Sequence, residues 1–249
     1  MVQQTNPDAV AAILDSARTT LLRFGFRFKA HNAEIVSGQE EGMLGWLALN
    51  YLTAAATSGA NVRGAAAAPL WGLLEMGGAS VQVSVPAEGS GLRVPAHFIL
   101  DYTSPSSGQR GRMYTHSFLG LGGESAQAAI QAKLMAEDNE DGHPSAVLHN
   151  PCLPKEFTER VEAVDGDGPD TAVAGTGDYQ ACTDLIHRTL FTSKQSTVNE
   201  CKKTASHCLW NGVASPDLSQ VHKLWAFENF YYIMSGVGYM TADEGAREF

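Results

Sequence analysis

The sequence predicts a layered α/β or α+β domain, and three observations carry that expectation. LWGLLEM (70–76) and VQVSV (81–85) alternate apolar positions on either side of GGAS, the signature of a β-hairpin. HFILDYT (97–103) and RMYTHSFL (112–119) read as two further strands and are followed by a helix expected over ESAQAAIQAKLM (124–135). Apolar residues at helical spacing occupy both ends of the chain. Strands and helices distributed in this way suit a sheet covered by helices.

Taken in order, Asn6 and Pro7 form a cap and first-turn pair ahead of Val10, Ile13, Leu14, Ala17 and Leu21. Gly25 then closes a helix of about 18 residues. FRF (26–28) and AEIV (33–36) look like short strands. SGQEEG (37–42) reads as a glycine-bracketed turn holding Glu40 and Glu41. From Gly42, the positions Leu44, Leu47, Ala48, Tyr51 and Leu52 mark the expected buried face of a helix. SGANVRGAAAA (58–68) is expected to be a flexible connector. AEDNEDGHPS (136–145) and VDGDGPDTAVAGTGD (164–178), poor in large apolar side chains, read as surface loops. The first spaces Glu137, Asn139, Asp141 and Gly142 like a calcium loop, but Leu148 stands where a bidentate glutamate must close it. ACTDLIHRTLF (181–191) and LWAFENFYYIM (224–234) are expected to be helices. No internal repeat is present.

Composition narrows the function. The 249 residues are 44% hydrophobic and 18% charged, ordinary values for a globular protein. A net charge of −10 argues against nucleic-acid binding, which needs a basic face. It leaves room for a phosphorylated ligand held by backbone N–H groups and a divalent cation. No apolar run reaches the roughly 18 residues of a membrane span, and MVQQTNPDAV lacks the features of a secretory signal. None of the four cysteines (Cys152, Cys182, Cys201, Cys208) forms a CxxC pair, and none of the eight histidines shows metal-ligand spacing. An even count in the last 100 residues points to disulfides and an oxidising compartment. Disulfides without a signal imply a piece of a longer protein.

Two stretches carry chemistry. In LLEMGGASVQV, Gly77 and Gly78 let the backbone curl so that successive N–H groups face one concavity suited to phosphate oxygens. Ser80 adds a hydroxyl, and Gln82 projects from the same strand face. Glu75 can hold a cation directly or through water. A plain glycine hairpin explains this pattern taken alone, and a helix cap explains Glu40 and Glu41. His116 is expected to be a structural strand histidine with a buried hydrogen bond.

Together and in order, SGQEEGMLGWLALNYL, LWGLLEMGGASVQV, MYTHSFL, NPCLP and WAFENFYY resemble the apyrases, the nucleoside triphosphate diphosphohydrolase family. The resemblance runs from residue 8 to about 240 and implies an α/β, actin-like (RNase H-like) fold, mainly its second half. Residues 1–56 would hold the helix and base-bearing motif at the junction of the halves. Residues 57–249 would form the second domain, with the phosphate-binding hairpin, the cysteine loops and the aromatic C-terminal helix. The implied reaction is hydrolysis of nucleoside di- and triphosphates to monophosphate and phosphate, with Ca2+ or Mg2+ as cofactor. Alternatives are a non-catalytic nucleotide-binding or structural fragment, and another actin-like phosphotransferase.

Carried over by position, the resemblance makes Glu41 the general base and leaves Glu40 as a solvated neighbour or helix-start charge. Ser80 and Gln82 would orient the attacking water, and Gly77, Gly78, Ala79 and Ser80 would cradle phosphate. Glu75 stands where the family has an aspartate that holds the metal through water, one methylene longer here. Tyr232, with Tyr231 as alternate, would stack on the nucleobase. Cys201 and Cys208 match a local family disulfide. Cys152 and Cys182 match members of two others whose partners are missing, so these two can bond each other. The family's first phosphate loop and a second short motif would lie upstream, which implies that this chain alone is inactive unless another completes the site. The expected location is secreted, or the lumenal or extracellular face of a membrane, with no membrane anchor in this chain.

Overall fold

The structure, a computed structural model, describes residues 6–25, 27–58, 70–87, 93–104, 107–140, 145–161, 170–192, 201–203, 205, 207–221 and 223–238. The chain divides into two compact units, Met1–Ser37 and Gly38–Phe249.

In the first unit, helix α1 (Pro7–Arg23) starts as its sequence dictates. Asn6 Oδ1 accepts from Ala9 N at 3.0 Å, and Pro7 opens the first turn. The helix buries none of its residues. The Arg18 guanidinium donates to the carbonyls of Ala30 and Ala33, tying the following segment back to the helix. The strands expected at 26–28 and 33–36 do not form among the described residues. Between them lies a 3-10 turn, Ala30–Asn32, where Asn32 Oδ1 accepts from Lys29 N at 2.8 Å and the flanking Lys29 and Ala33 are extended but unpaired with a neighbouring strand. A short apolar run with no neighbouring strand lacks the pairing that makes extended backbone worthwhile.

The second unit contains helices α2 (Gly38–Ser58), α3 (Gly123–Asp138), α4 (Tyr179–Leu190) and α5 (Asn229–Gly236). Its strands are β1 (Gly72–Met76), β2 (Ser80–Pro86), β3 (Ile99–Thr103), β4 (Arg110–Leu119), β5 (Val147–Asn150), β6 (Thr158–Val161), β7 (Thr171–Gly175), β8 (His207–Cys208), β9 (Ala214–Ser215) and β10 (Leu224–Glu228). The main sheet has the order β10-β1-β2-β4-β3. Its β10–β1 pair is parallel and the others are antiparallel. The expected hairpin is β1–β2, with Met76 opposite Val81.

Strand alternation divides this sheet into two faces. Val81, Val83 and Val85 pack with Tyr114 and Phe118 on one. Gln82, Ser84 and Thr115 occupy the other, beneath α2, and all three are buried. Of the five positions in the predicted buried face of α2, only Leu47 packs against the core, and Ala48 is exposed. Leu44, Tyr51 and Leu52 are exposed, while Gly42, Trp46 and Leu49 meet the sheet. Trp46 Nε1 donates to the Trp71 carbonyl at 2.6 Å, and Asn50 Oδ1 accepts from Trp71 N at 2.8 Å. Small residues let the helix backbone approach closely enough for these bonds, which a leucine face would prevent.

A second sheet, β5-β7-β6, packs its central Val173 with Ile130, Leu134, Leu148 and Leu185. Its central strand TAVAG lies inside the stretch read as a loop. The large side chains of this core come from α3 and α4, so the strand itself needs few. Gly175 is close-packed, since a Cβ there would overlap the carbonyl of Pro154. Residues 164–169 of that loop lie outside the described residues, as do 59–68 of the connector and 141–144 of the acidic segment. Glu137, weighed for a calcium loop, is helical and ion-paired with Lys133 and Arg188. The hydrogen bond from Arg188 holds its carboxyl below the usual range.

The aromatic stretch at 224–234 is also not one helix. Leu224–Glu228 forms the edge strand paired with β1, and only Asn229 onward is helical. His116 departs from expectation as well. Its Nδ1 is buried with no hydrogen-bond partner, and its ring sits edge-on to Phe98 and Phe118. Burial, aided by His97, lowers its pKa to about 4, so the ring is neutral and packs as an aromatic.

Both cysteine pairs are bonded, Cys152–Cys182 and Cys201–Cys208. The first fastens the chain after β5 to the first turn of α4. Their sequence separations are 30 and 7 residues. Loop-closure entropy assigns them about 4 and about 2.5 kcal/mol respectively.

Candidate active site

The site begins with how closely α2 lies on the sheet. A Cβ on Gly42 would sit 2.7 Å from Thr115 Oγ1 and 2.8 Å from Ser84 Oγ. A Cβ on Gly38 would overlap Ser117 Oγ, and one on Gly45 would lie 3.0 Å from Leu73. These glycines recur at i, i+4 and i+7 and form the contact stripe. Glu40 and Glu41 therefore lie in the first turn of a helix rather than in a loop, where the helix dipole offsets their mutual repulsion.

Glu41 is drawn over the polar strip of the sheet. Gln82 Nε2 donates to Glu41 Oε2 at 2.6 Å and to Ser80 Oγ at 2.9 Å. Ser117 Oγ, directly across the strand pair, lies 3.4 Å from the same nitrogen. Gln82 is only 1% exposed, so its amide is locked and sets the position of the Glu41 carboxylate. Beneath them the hydroxyls of Ser84 and Thr115 satisfy each other at 2.8 Å.

Glu75 pairs across the hairpin with Gln82. Burial first, then the charges of Glu41 and Glu228, raise its carboxyl above the ordinary glutamate range. No ion pair reaches Glu75 among the described residues, so they leave this concentration of negative charge uncompensated. Carboxylate oxygens of this kind suit a hard divalent cation. The described residues hold no group of three ligating side chains arranged to grip an ion directly.

A raised carboxyl pKa favours the folded state at low pH. Its contribution is complete below the unfolded pKa and is lost as pH rises through the folded one. At neutral pH Glu75 is thus a source of instability. Glu75→Gln is expected to raise the urea midpoint at pH 7 in the absence of divalent ions and to flatten its decline from pH 4.5 upward. An unchanged midpoint at both ends of that range would show that Glu75 is not electrostatically strained.

The glycine turn is built differently from the expected curl. Neither Gly77 nor Gly78 adopts a positive φ. A Cβ on Gly77 would meet only Ser80 O, at 3.8 Å, whereas one on Gly78 would lie 3.0 Å from Glu124 Oε2. What shapes the turn is its surroundings. The Gly77 carbonyl accepts from Gly123 N at 2.9 Å, that of Gly78 from Ser125 N at 3.0 Å, and that of Ala79 from Gly120 N at 2.8 Å. With all three carbonyls tied back to the start of α3, the N–H groups of Gly78 and Ala79 have no acceptor among the described residues.

Tyr231 and Tyr232 follow on α5, which starts beside Gly77. Their rings meet edge-on at 5.5 Å, and Tyr232 is 62% exposed. Sequence reasoning missed Ser117, Glu228 and Asn229. Ser117 was accessible in principle, since strand register alone places it opposite Gln82. Glu228 and Asn229 reach the site through a parallel pairing between strands about 150 residues apart, which no local pattern announces.

A sequence profile of the GDA1/CD39 (nucleoside phosphatase) family matches residues 1–247. Ectonucleoside triphosphate diphosphohydrolase 2 of Rattus norvegicus is 31% identical over 245 residues, 92% of this chain and 44% of its own length. Ectonucleoside triphosphate diphosphohydrolase 4 of Mus musculus is 26% identical over 96% of this chain and 43% of its own. Probable apyrase 3 of Arabidopsis thaliana is 26% identical over 88% and 43%. The chain thus spans less than half the length of these relatives. A crystal structure of nucleoside triphosphate hydrolases from Neospora caninum superposes with a TM-score of 0.50 and 15% identity, covering 84% of this chain and 47% of that one. That likeness shows the fold, which is the α/β, actin-like class expected.

Proposed function

The chain belongs to the GDA1/CD39 (nucleoside phosphatase) family, and from that premise we propose that it serves in metal-dependent hydrolysis of nucleoside tri- and diphosphates to monophosphate and phosphate. One observation carries the reading: the buried Gln82 amide joins the Glu41 carboxylate to Ser80 at the edge of a turn whose Gly78 and Ala79 N–H groups have no acceptor among the described residues. Phosphoryl transfer asks the protein chiefly for positioning and charge stabilisation, and this arrangement offers both.

In this reading Glu41 takes the proton of the attacking water, which Ser80 and Gln82 orient. The N–H groups of Gly78 and Ala79 hold phosphate oxygens, while Gly77 N, expected to join them, donates to Ser80 O at 3.0 Å and closes the turn. Tyr232, with Tyr231 as alternate, offers its face to the base. Stacking of this kind tolerates any base. Ca2+ or Mg2+, held through water near Glu75, would neutralise phosphate charge. The two disulfides suit a protein that works outside the cell or in a lumen. Among the described residues no helix is long and apolar enough to cross a membrane.

The direct test is phosphate release from ATP and from ADP by the full-length protein, the 249-residue chain alone being expected to be inactive or nearly so, with calcium or magnesium and then with excess chelator. Release from both substrates that stops on chelation is expected. Nucleotide bound without release would favour a binding role, and neither binding nor release would end this reading.

A further inference from the structure

The backbone at Glu228 is strained. Its φ of 56° and ψ of −118° lie where glycine is at home and a side chain is crowded. Such a conformation persists only where its surroundings fix it, and it justifies asking what it achieves. Glu228 is the last residue of β10 and stands beside Met76 in the parallel pair. Helix α5 begins at the next residue with no intervening loop. The single positive φ makes this corner and carries Asn229 directly to the start of the glycine turn.

There Asn229 Nδ2 donates to the Gly77 carbonyl at 3.0 Å. The same oxygen accepts from Gly123 N. The Asn229 side chain fits because Gly123 has no Cβ, whose position would lie 3.1 Å from Nδ2. Three elements, the end of β1 and the starts of α3 and α5, thus meet on one carbonyl. The side-chain bond is the one that joins the turn to the helix carrying Tyr231 and Tyr232. Tyr232 lies three residues further on, about 4.5 Å along the helix axis.

We propose that Asn229 is a positioning residue for nucleotide binding: its amide pins the Gly77 carbonyl, which holds the Gly78 and Ala79 N–H groups in place and sets their spacing from the tyrosine pair. This rests on the reading of that turn as the phosphate cradle. Asn229→Asp is the informative variant, because it keeps shape and packing but an ionised carboxylate cannot donate. Asn229→Ala removes the contact altogether.

Two measurements on the 249-residue chain separate this inference from the reading beneath it. Residue-resolved amide exchange at Gly77, Gly123 and Ser125, whose N–H groups donate to the Ser80, Gly77 and Gly78 carbonyls, should quicken about fivefold in both variants, the effect of one ordinary hydrogen bond. Calorimetry with the β,γ-imido analogue of ATP and calcium should show Kd rising by about as much, with Tm held within about 2 °C. Unchanged exchange would overturn the Asn229 latch. Faster exchange with unaltered Kd would overturn its role in binding. If the wild-type chain binds no analogue, the phosphate reading fails, and the exchange result still decides whether the latch exists.

Discussion

Glu41→Gln is expected to lower the kcat for phosphate release by about 10²–10⁴-fold, the usual contribution of a positioned general base. Glutamine preserves the side-chain length and leaves an oxygen to accept the 2.6 Å bond from Gln82. What it loses is the capacity to take a proton. The fall in kcat should therefore be matched in kcat/KM, the pattern of an interaction made only in the transition state. Nucleotide affinity and Tm should stay close to wild type, because the carboxylate is exposed and its partner is retained. A variant that keeps more than about a third of wild-type kcat would remove Glu41 as the base, since so small a loss lies far below this mechanism's range.

Gly122→Ala is expected to cost about 3 kcal/mol of stability, at the upper end of overpacking penalties, and to lower Tm by about 10 °C. Gly122 is the residue before α3, with φ −67° and ψ 158°, a conformation open to any residue. Its need for glycine is a matter of space alone. A Cβ there would overlap the backbone of Ala79 and Ser80, and backbone cannot rotate out of the way as a side chain can. Either α3 withdraws, breaking the Gly123 and Ser125 bonds to the turn, or the turn itself moves. Both routes disturb the proposed phosphate contacts, so nucleotide affinity should fall even at temperatures well below the melting transition. Thermal melts and calorimetry together check this. A Tm within about 2 °C of wild type would show that the junction can yield, contrary to the close packing on which the argument depends.

These two residues illustrate how unevenly the site is written in the sequence. Glu41 stands out locally, as one of two carboxylates framed by glycines before an apolar helix. Gly122 does not. It looks like one of several loop glycines in GLGGES, and only the arrival of the β1–β2 turn against it makes the position intolerant. The leucines of α2 misled for a related reason. Periodicity identifies a helix, but Leu44, Tyr51 and Leu52 and the stripe Gly38, Gly42 and Gly45 both fit its period. Choosing between them requires knowing that a polar strip of Ser84 and Thr115 lies under Gly42 while Leu73 and Met113 beside it receive Trp46 and Leu49.

The elements legible in the sequence were those whose signals are local. Asn6 and Pro7 start a helix because cap and ring act on the next few residues. LLEM and SVQVSV form a hairpin because alternation and the glycine pair act within fifteen residues. Strand β7 escaped notice because TAVAG has little hydrophobic signal of its own and is extended only between β5 and β6. β10 was taken for helix because its aromatic run suits either state, and pairing with β1 decides the matter.

By itself, then, the sequence determined the hairpin, the helix caps and the ordered set of stretches that mark the family, because those depend on neighbours along the chain. Only the tertiary structure decided which face of α2 meets the sheet, how Gln82 binds Glu41 and Ser80, and what holds the glycine turn. Those depend on contacts between segments up to 152 residues apart, as in the bond from Asn229 to Gly77. Such contacts arise from packing and strand register, and no stretch of sequence records them alone.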